Sequence, residues 1–151
     1  MKNHINYAQL YLRIALGLGF IYPVLDRIGW LGVAGQHNVS WGNFDSFLTY
    51  THLMLPFLSK SLSDIMGLLA TIAEATFGIL LLIGFKTRLV AKGSFALTLI
   101  FALCMFTFFG SKSPFNYSVF ADSAGALLLS ALPGYRYSLD FLQSGESKKI
   151  F

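Results

Sequence analysis

Two apolar runs separated by three residues constrain this chain more than anything else in it. Residues 65–85 carry a single charge, Glu74, and residues 89–109 carry a single charge, Lys92, with Lys86, Thr87 and Arg88 between the runs. A helix needs about 20 apolar residues to cross a hydrocarbon core roughly 30 Å thick, so each run is long enough to span. A connection this short allows only an antiparallel hairpin. Glu74 lies about 16 Å from Phe85 at helical rise, close to half the hydrocarbon thickness. An ionisable group at that depth is costly to expose to lipid and is expected to face protein or water.

The rest of the composition agrees. The chain is 55% hydrophobic and only 12% charged, with a mean hydropathy of +0.62, whereas soluble domains carry about a quarter charged residues. The expected fold class is all-α, a polytopic four-transmembrane-helix bundle. The net charge of +4 does not indicate nucleic-acid binding, because the basic residues lie at the ends of apolar runs, where they set orientation in the bilayer. Nucleic acid is therefore excluded as a partner and the lipid bilayer is the expected one. The single cysteine, Cys104, allows neither an internal disulfide nor a Cys-x-x-Cys dithiol, and reads as a small buried side chain. The first apolar segment contains Arg13 and has no small-x-small cleavage site after it, so it reads as a retained helix.

The spans are expected at residues 7–25, 65–85, 89–109 and 117–132. Together they make a single membrane domain over residues 1–140, followed by a polar tail at 141–151. Pro23 and the pair Asp26 and Arg27 mark the end of the first span. The one long connection, about residues 26–64, holds both tryptophans, Trp30 and Trp41. Its second half, residues 43–58, is apolar but carries Asp45 and His52 and is broken by Pro56. It reads as a helix lying in the interface or folding back onto the bundle. Ser61 and Ser63 are candidates to cap the second span. With the amino terminus inside, Lys2, Arg13, Lys86, Arg88, Lys92, Arg136, Lys148 and Lys149 fall on the inner side or at inner helix ends. Arg27, Lys60 and Lys112 fall on the outer side. This bias predicts both termini in the cytoplasm.

In that orientation Asp122 sits about 15 Å above the inner end of its helix, at nearly the depth of Glu74. Arg13 lies below both acids and is long enough to reach toward them. Glu74 shares its face with Gly67, Ala70, Thr71 and Gly78, and Asp122 shares its own with Ala126 and Ser130. Small residues of this kind line helix interfaces in membranes. Glu74, Arg13 and Asp122 are therefore the candidate site residues. They form either a structural ion-pair network that pins the helices or a proton-handling group within a lipid-accessible cavity. Acids placed near the water boundary are a third reading. The histidines, His4, His37 and His52, fall outside the spans, and their spacing with Asp45 matches no metal-site pattern, so no metal is expected. Phe101, Phe106, Phe108 and Phe109 read as lipid-facing packing, with a stacking site for a quinone ring as the alternative.

Several segments resemble the DoxX family of small bacterial membrane proteins, which includes relatives of the DoxD subunit of thiosulfate:quinone oxidoreductase. Leu12-Arg13-Ile14-Ala15-Leu16-Gly17 is similar to the family's opening helix. The stretch from Ala73-Glu74-Ala75-Thr76-Phe77-Gly78 through Lys86-Thr87-Arg88 resembles its acid-containing helix. Pro114-Phe115-Asn116-Tyr117-Ser118-Val119-Phe120 also has its look, and Pro133-Gly134-Tyr135-Arg136-Tyr137-Ser138-Leu139-Asp140 resembles its close. The resemblance implies a four-helix bundle in a bacterial cytoplasmic (inner) membrane and a link to quinone-dependent oxidoreductase complexes. On that basis the chain is read as the membrane subunit of such a complex, with a soluble or membrane oxidoreductase subunit as partner. The alternative is a non-enzymatic anchor or assembly component. Whether the chain is an enzyme stays open, as does assembly into a homo-oligomer. No covalently bound cofactor is expected, and quinone is the cofactor the resemblance admits. A small-solute permease fits less well, since no internal repeat is evident. The topology is directly testable: a reporter active only outside the cytoplasm is expected to stay silent when fused after Phe151, and an active fusion would overturn the orientation.

Overall fold

The computed structural model describes residues 2–144, the first two of them as backbone only, and the described residues hold helices and no strand. The helices are α1 (Lys2–Arg27), α2 (Phe44–Met54), α3 (Lys60–Ile83), α4 (Thr87–Phe108), α5 (Lys112–Asn116), α6 (Val119–Ala131) and α7 (Leu139–Gln143). His4–Arg27, Lys60–Ile83 and Thr87–Phe108 are long and apolar enough to cross a membrane, and Val119–Ala131 is a shorter apolar helix. Lys148 and Lys149, counted above for orientation, lie outside the described residues.

Polarity is arranged in the reverse of a soluble protein. On α3 the buried positions are Ser63, Gly67, Thr71, Glu74, Gly78 and Leu81, spaced three and four apart along one face. On α4 they include Thr87, Ala91, Ser94, Thr98 and Ala102, and on α6 Ser123, Ala126 and Ser130. The large aliphatics Leu68, Leu69, Ile72 and Ile79 point outward and are about half exposed. Small and hydroxyl residues inside let backbones approach, while branched apolar residues outside meet lipid. The α3–α4 hairpin is central, with α1 packed on α3, α6 packed on α4, and α1 touching α6 to close the ring. Leu16, Phe20, Leu81, Val90, Ala91, Ala126, Leu129 and Tyr135 form its apolar core.

The first expected span and the amphipathic segment share the length of α3 between them. Gly17 packs against Gly78 and Leu82, and the end of α1 reaches Thr71 and Glu74. The other half of α3 is covered by α2, where Phe47, Leu48 and Thr51 surround Gly67 and His52 bonds Ser63. α1 and α2 thus act as one helix broken halfway. Residues 28–43 leave and return at the break. Asn43 caps α2 by accepting from Ser46 N at 2.8 Å, and the helix ends just before Pro56, which disfavours helical geometry in the residue preceding it.

Three boundaries differ from the sequence reading. α1 starts at Lys2, five residues before the expected span, and passes Pro23 to end at Arg27, the charged residue that marked its expected end. α3 starts at Lys60, so Ser61 and Ser63 are not caps: Ser63 is inside the helix, donating to the Lys60 carbonyl at 2.8 Å, and the capping position is Ser59. The last apolar helix covers only Val119–Ala131, and α5 with its flanking turns fills the remaining height beside α4.

At the hairpin end the chain is tied by its own carboxyl-terminal segment. Gly84 ends α3 in the left-handed conformation (φ +69°), and a Cβ there would run into Ser138 and the Arg13 guanidinium. The Asp140 carboxylate accepts from Lys86 N and Thr87 N, both at 2.7 Å, so it caps α4 from more than fifty residues away. Where α1 crosses α3, a Cβ on Gly78 would stand 2.8 Å from Ile21 and 3.0 Å from the Gly17 carbonyl. Gly78→Val is expected to force the helices apart at a cost of about 1–3 kcal/mol, read as a lower melting temperature in detergent.

Candidate functional site at the break between α1 and α2

Glu74 does find a cation, and it is Arg27. Arg27 Nη1 donates to Glu74 Oε2 and, at 2.9 Å, to Thr71 Oγ1, while Nη2 donates to Glu74 Oε1 at 3.2 Å. This is the two-point carboxylate contact that the planar guanidinium favours. Thr71 in turn donates to the Gly67 carbonyl at 2.9 Å. Both charged residues are only 4% exposed. The Arg27 guanidinium carbon lies 3.7 Å from the Phe47 ring centroid and 5.2 Å from that of Trp41. Its other face is thereby covered by aromatic surface, an arrangement worth up to about 2 kcal/mol when desolvated.

The neighbouring residue sets this lid in place. Asp26 is also buried, and its carboxylate accepts three backbone N–H groups from the returning segment: Ser40 at 2.9 Å, Trp41 at 3.2 Å and Gly42 at 3.1 Å. Asp26 closes residues 28–43 onto the end of α1 and brings Trp41 over Arg27. Trp41 then packs edge-on against Phe47, centroids 5.4 Å apart. Two adjacent side chains in the last turn of α1 therefore do separate jobs. One neutralises Glu74 and the other folds the cover.

The other two sequence candidates are elsewhere. Arg13 is fully buried at the hairpin end, where Nη2 donates to the Tyr137 carbonyl at 2.6 Å. Beside it Gln9 Nε2 donates to the Arg136 carbonyl at 2.6 Å. Arg13 secures the chain's closing segment and does not reach toward Glu74, because its place on α1 faces Gly84. Asp122 lies in the first turn of α6, exposed, with no side-chain hydrogen bond or ion pair among the described residues. The shared network expected of Glu74, Arg13 and Asp122 does not form. Among the described residues no three His, Cys, Asp or Glu side chains gather as metal ligands. His52 bonds Ser63 at 3.1 Å. Phe108 pairs with Phe57 and Phe109 with Tyr50, centroids 5.7 and 5.1 Å apart.

Arg27, Asp26, Trp41 and Phe47 were missed by the sequence reading, which placed Arg27 on the outer side. The available signal was a demand and a supply: an acid within an apolar span needs a cation, and Arg27 is the charged end of the first span.

An all-helical bundle with apolar faces outward and a neutralised ion pair inside defines a polytopic integral membrane protein. More particularly, the DoxX family model matches residues 8–109, and the chain belongs to the DoxX family. That match includes Arg27 and Glu74 and ends before α5, α6 and the segment that ties the hairpin end. No curated protein and no solved structure matches the chain.

Asp26→Ala would strand three backbone N–H groups, at about 1–3 kcal/mol for each one that water does not reach. The expected result is faster amide exchange at Ser40, Trp41 and Gly42 and a red-shifted tryptophan emission, with exchange in the middle of α4 unchanged.

Proposed function

We propose that this protein is the membrane-embedded subunit of a quinone-linked oxidoreductase complex of a bacterial cytoplasmic membrane, and that it contributes anchorage and assembly while Glu74 serves as a fixed structural charge. The observation that carries this reading is the closure of the Arg27–Glu74 pair. Both carboxylate oxygens are engaged by one guanidinium, Thr71 supports that guanidinium, and Phe47 and Trp41 cover it. A proton-handling carboxylate needs a route to its proton acceptor, whereas this one is held by a permanent cation in an enclosed site. The quinone link comes from the resemblance to the DoxD subunit.

A second reading keeps quinone chemistry within this chain. The rings of Phe57 and Phe108 pair at the end opposite the hairpin and are both exposed, offering a stacking surface for a quinone headgroup. A relay from Glu74 through Arg13 and Asp122 draws no support from their positions, since Arg13 is bonded to the closing segment and Asp122 is on the outer surface.

Glu74→Gln tests the structural role given to this carboxylate. Breaking one side of a buried ion pair costs about 3–5 kcal/mol, so accumulation and melting temperature are expected to fall. Quinone reduction by isolated membranes, normalised to folded protein, is expected to stay within about twofold, well under the 1.4 kcal/mol that a tenfold change represents. Unchanged accumulation with lost quinone reduction would overturn the structural reading. The exchanged pair Arg27→Glu with Glu74→Arg is expected to recover part of the lost stability.

A further inference from the structure

A three-residue turn between two membrane-spanning helices has to lie at a membrane surface, and at this turn the chain forms a depression. It has a volume of about 460 Å³ and is lined by Lys86 and Arg88 from the turn and first residues of α4, with Leu89, Pro133, Tyr135 and Phe141 among the others. Two cations border it. Arg88 is held in place by donating to the Leu132 carbonyl at 3.0 Å. Asp140 also lines the depression, but both its oxygens are taken by Lys86 N and Thr87 N, which leaves the lining with one net positive charge. Burial raises the Tyr135 hydroxyl above the ordinary phenol range, and it donates to the Leu129 carbonyl at 2.9 Å, so the wall stays neutral there.

Leu89, Pro133 and Phe141 give the rest of the lining a mainly apolar surface beside Gly134 and Ser144. Leu89 is 67% exposed one residue beyond Arg88, on the side of α4 that continues along the hydrocarbon. A free inorganic anion would have no use for Leu89, Pro133 and Phe141 beside its charges. A molecule with an anionic head and an apolar body uses both. We propose that this depression binds the headgroup of an anionic phospholipid, with Lys86 and Arg88 against its phosphodiester and Leu89 and Phe141 against the start of its acyl chains. Basic recesses at the ends of spanning helices are suited to such headgroups. The site is separate from the Arg27–Glu74 pair and does not depend on the function proposed above.

The test is a lipid titration of the purified full chain in neutral detergent, read as melting temperature and as lipid retained in native mass spectrometry. Phosphatidylglycerol is expected to stabilise the protein at lower concentration than phosphatidylcholine of the same acyl chains. Each cation near a membrane surface contributes about fivefold in affinity, so Lys86→Gln is expected to raise the half-saturating phosphatidylglycerol concentration by about that factor. Lys92→Gln, an exposed base on α4 outside the depression, is expected to leave it unchanged. Arg88→Gln loses a bond to Leu132 and could fail to fold, so Lys86→Gln decides. Equal responses to the two lipids would overturn the proposal. An effect of Lys92→Gln as large as that of Lys86→Gln would do the same, as would equal stabilisation by glycerol phosphate.

Discussion

A carboxylate halfway along an apolar helix has to be neutralised from within the protein, and the arrangement around α3 follows from that need. Glu74 is paired with Arg27, the last residue of α1. The last carbonyls of a helix lack partners within it, and where water is scarce such groups need others. The chain supplies them locally: Ile28 N, Gly29 N and Trp30 N turn back to the Val24, Asp26 and Leu25 carbonyls at 3.0–3.2 Å. α2 then covers the half of α3 that α1 leaves bare. The ion pair, the break and the amphipathic helix are one solution to a single electrostatic demand.

The hairpin end solves a different problem. A tight turn between two long helices leaves the first N–H groups of α4 unpaired and places Gly84 in a left-handed conformation. Asp140 caps α4, and Arg13 and Gln9 reach from α1 to the Tyr137 and Arg136 carbonyls. Segments from the start, middle and end of the chain thereby converge on one turn. Arg13 acts here as a donor to backbone, tying α1 to the closing segment through the Tyr137 carbonyl.

The parts of the fold visible in the sequence are those governed by hydropathy. The α3–α4 hairpin was legible because its two runs are long, nearly uncharged and separated by three residues, and a helix in the long connection was legible from apolar content bounded by Pro56, with interfacial and folded-back placements both open. Helix limits were less so. The first helix begins earlier than its apolar stretch because the polar residues from Lys2 are also helical, and the short Val119–Ala131 helix looked longer because Tyr117 and Leu132 are apolar without being helical. The site was half legible. Glu74 announces itself as an isolated acid, but its partner depends on the register of α1 against α3, which is set where Gly17 meets Gly78. Hydropathy does not encode register. Shifting α1 by a turn would have offered Glu74 a different neighbour.

The segment closed by Asp26 has a bearing on how this scaffold tolerates change. Its two ends are clamped to one carboxylate, so the position of Asn43 and the entry into α2 are decided at Ser40, Trp41 and Gly42 and not by the path between. The closure entropy of a loop grows only slowly with its length. Residues near Gly35 and His37 form the outer part of this excursion and are exposed. Extra residues inserted there would lengthen the excursion while leaving α2 in register and the Arg27–Glu74 pair covered. The break in the first helix is thus a point at which this chain would accept new external surface without disturbing the buried charges beneath.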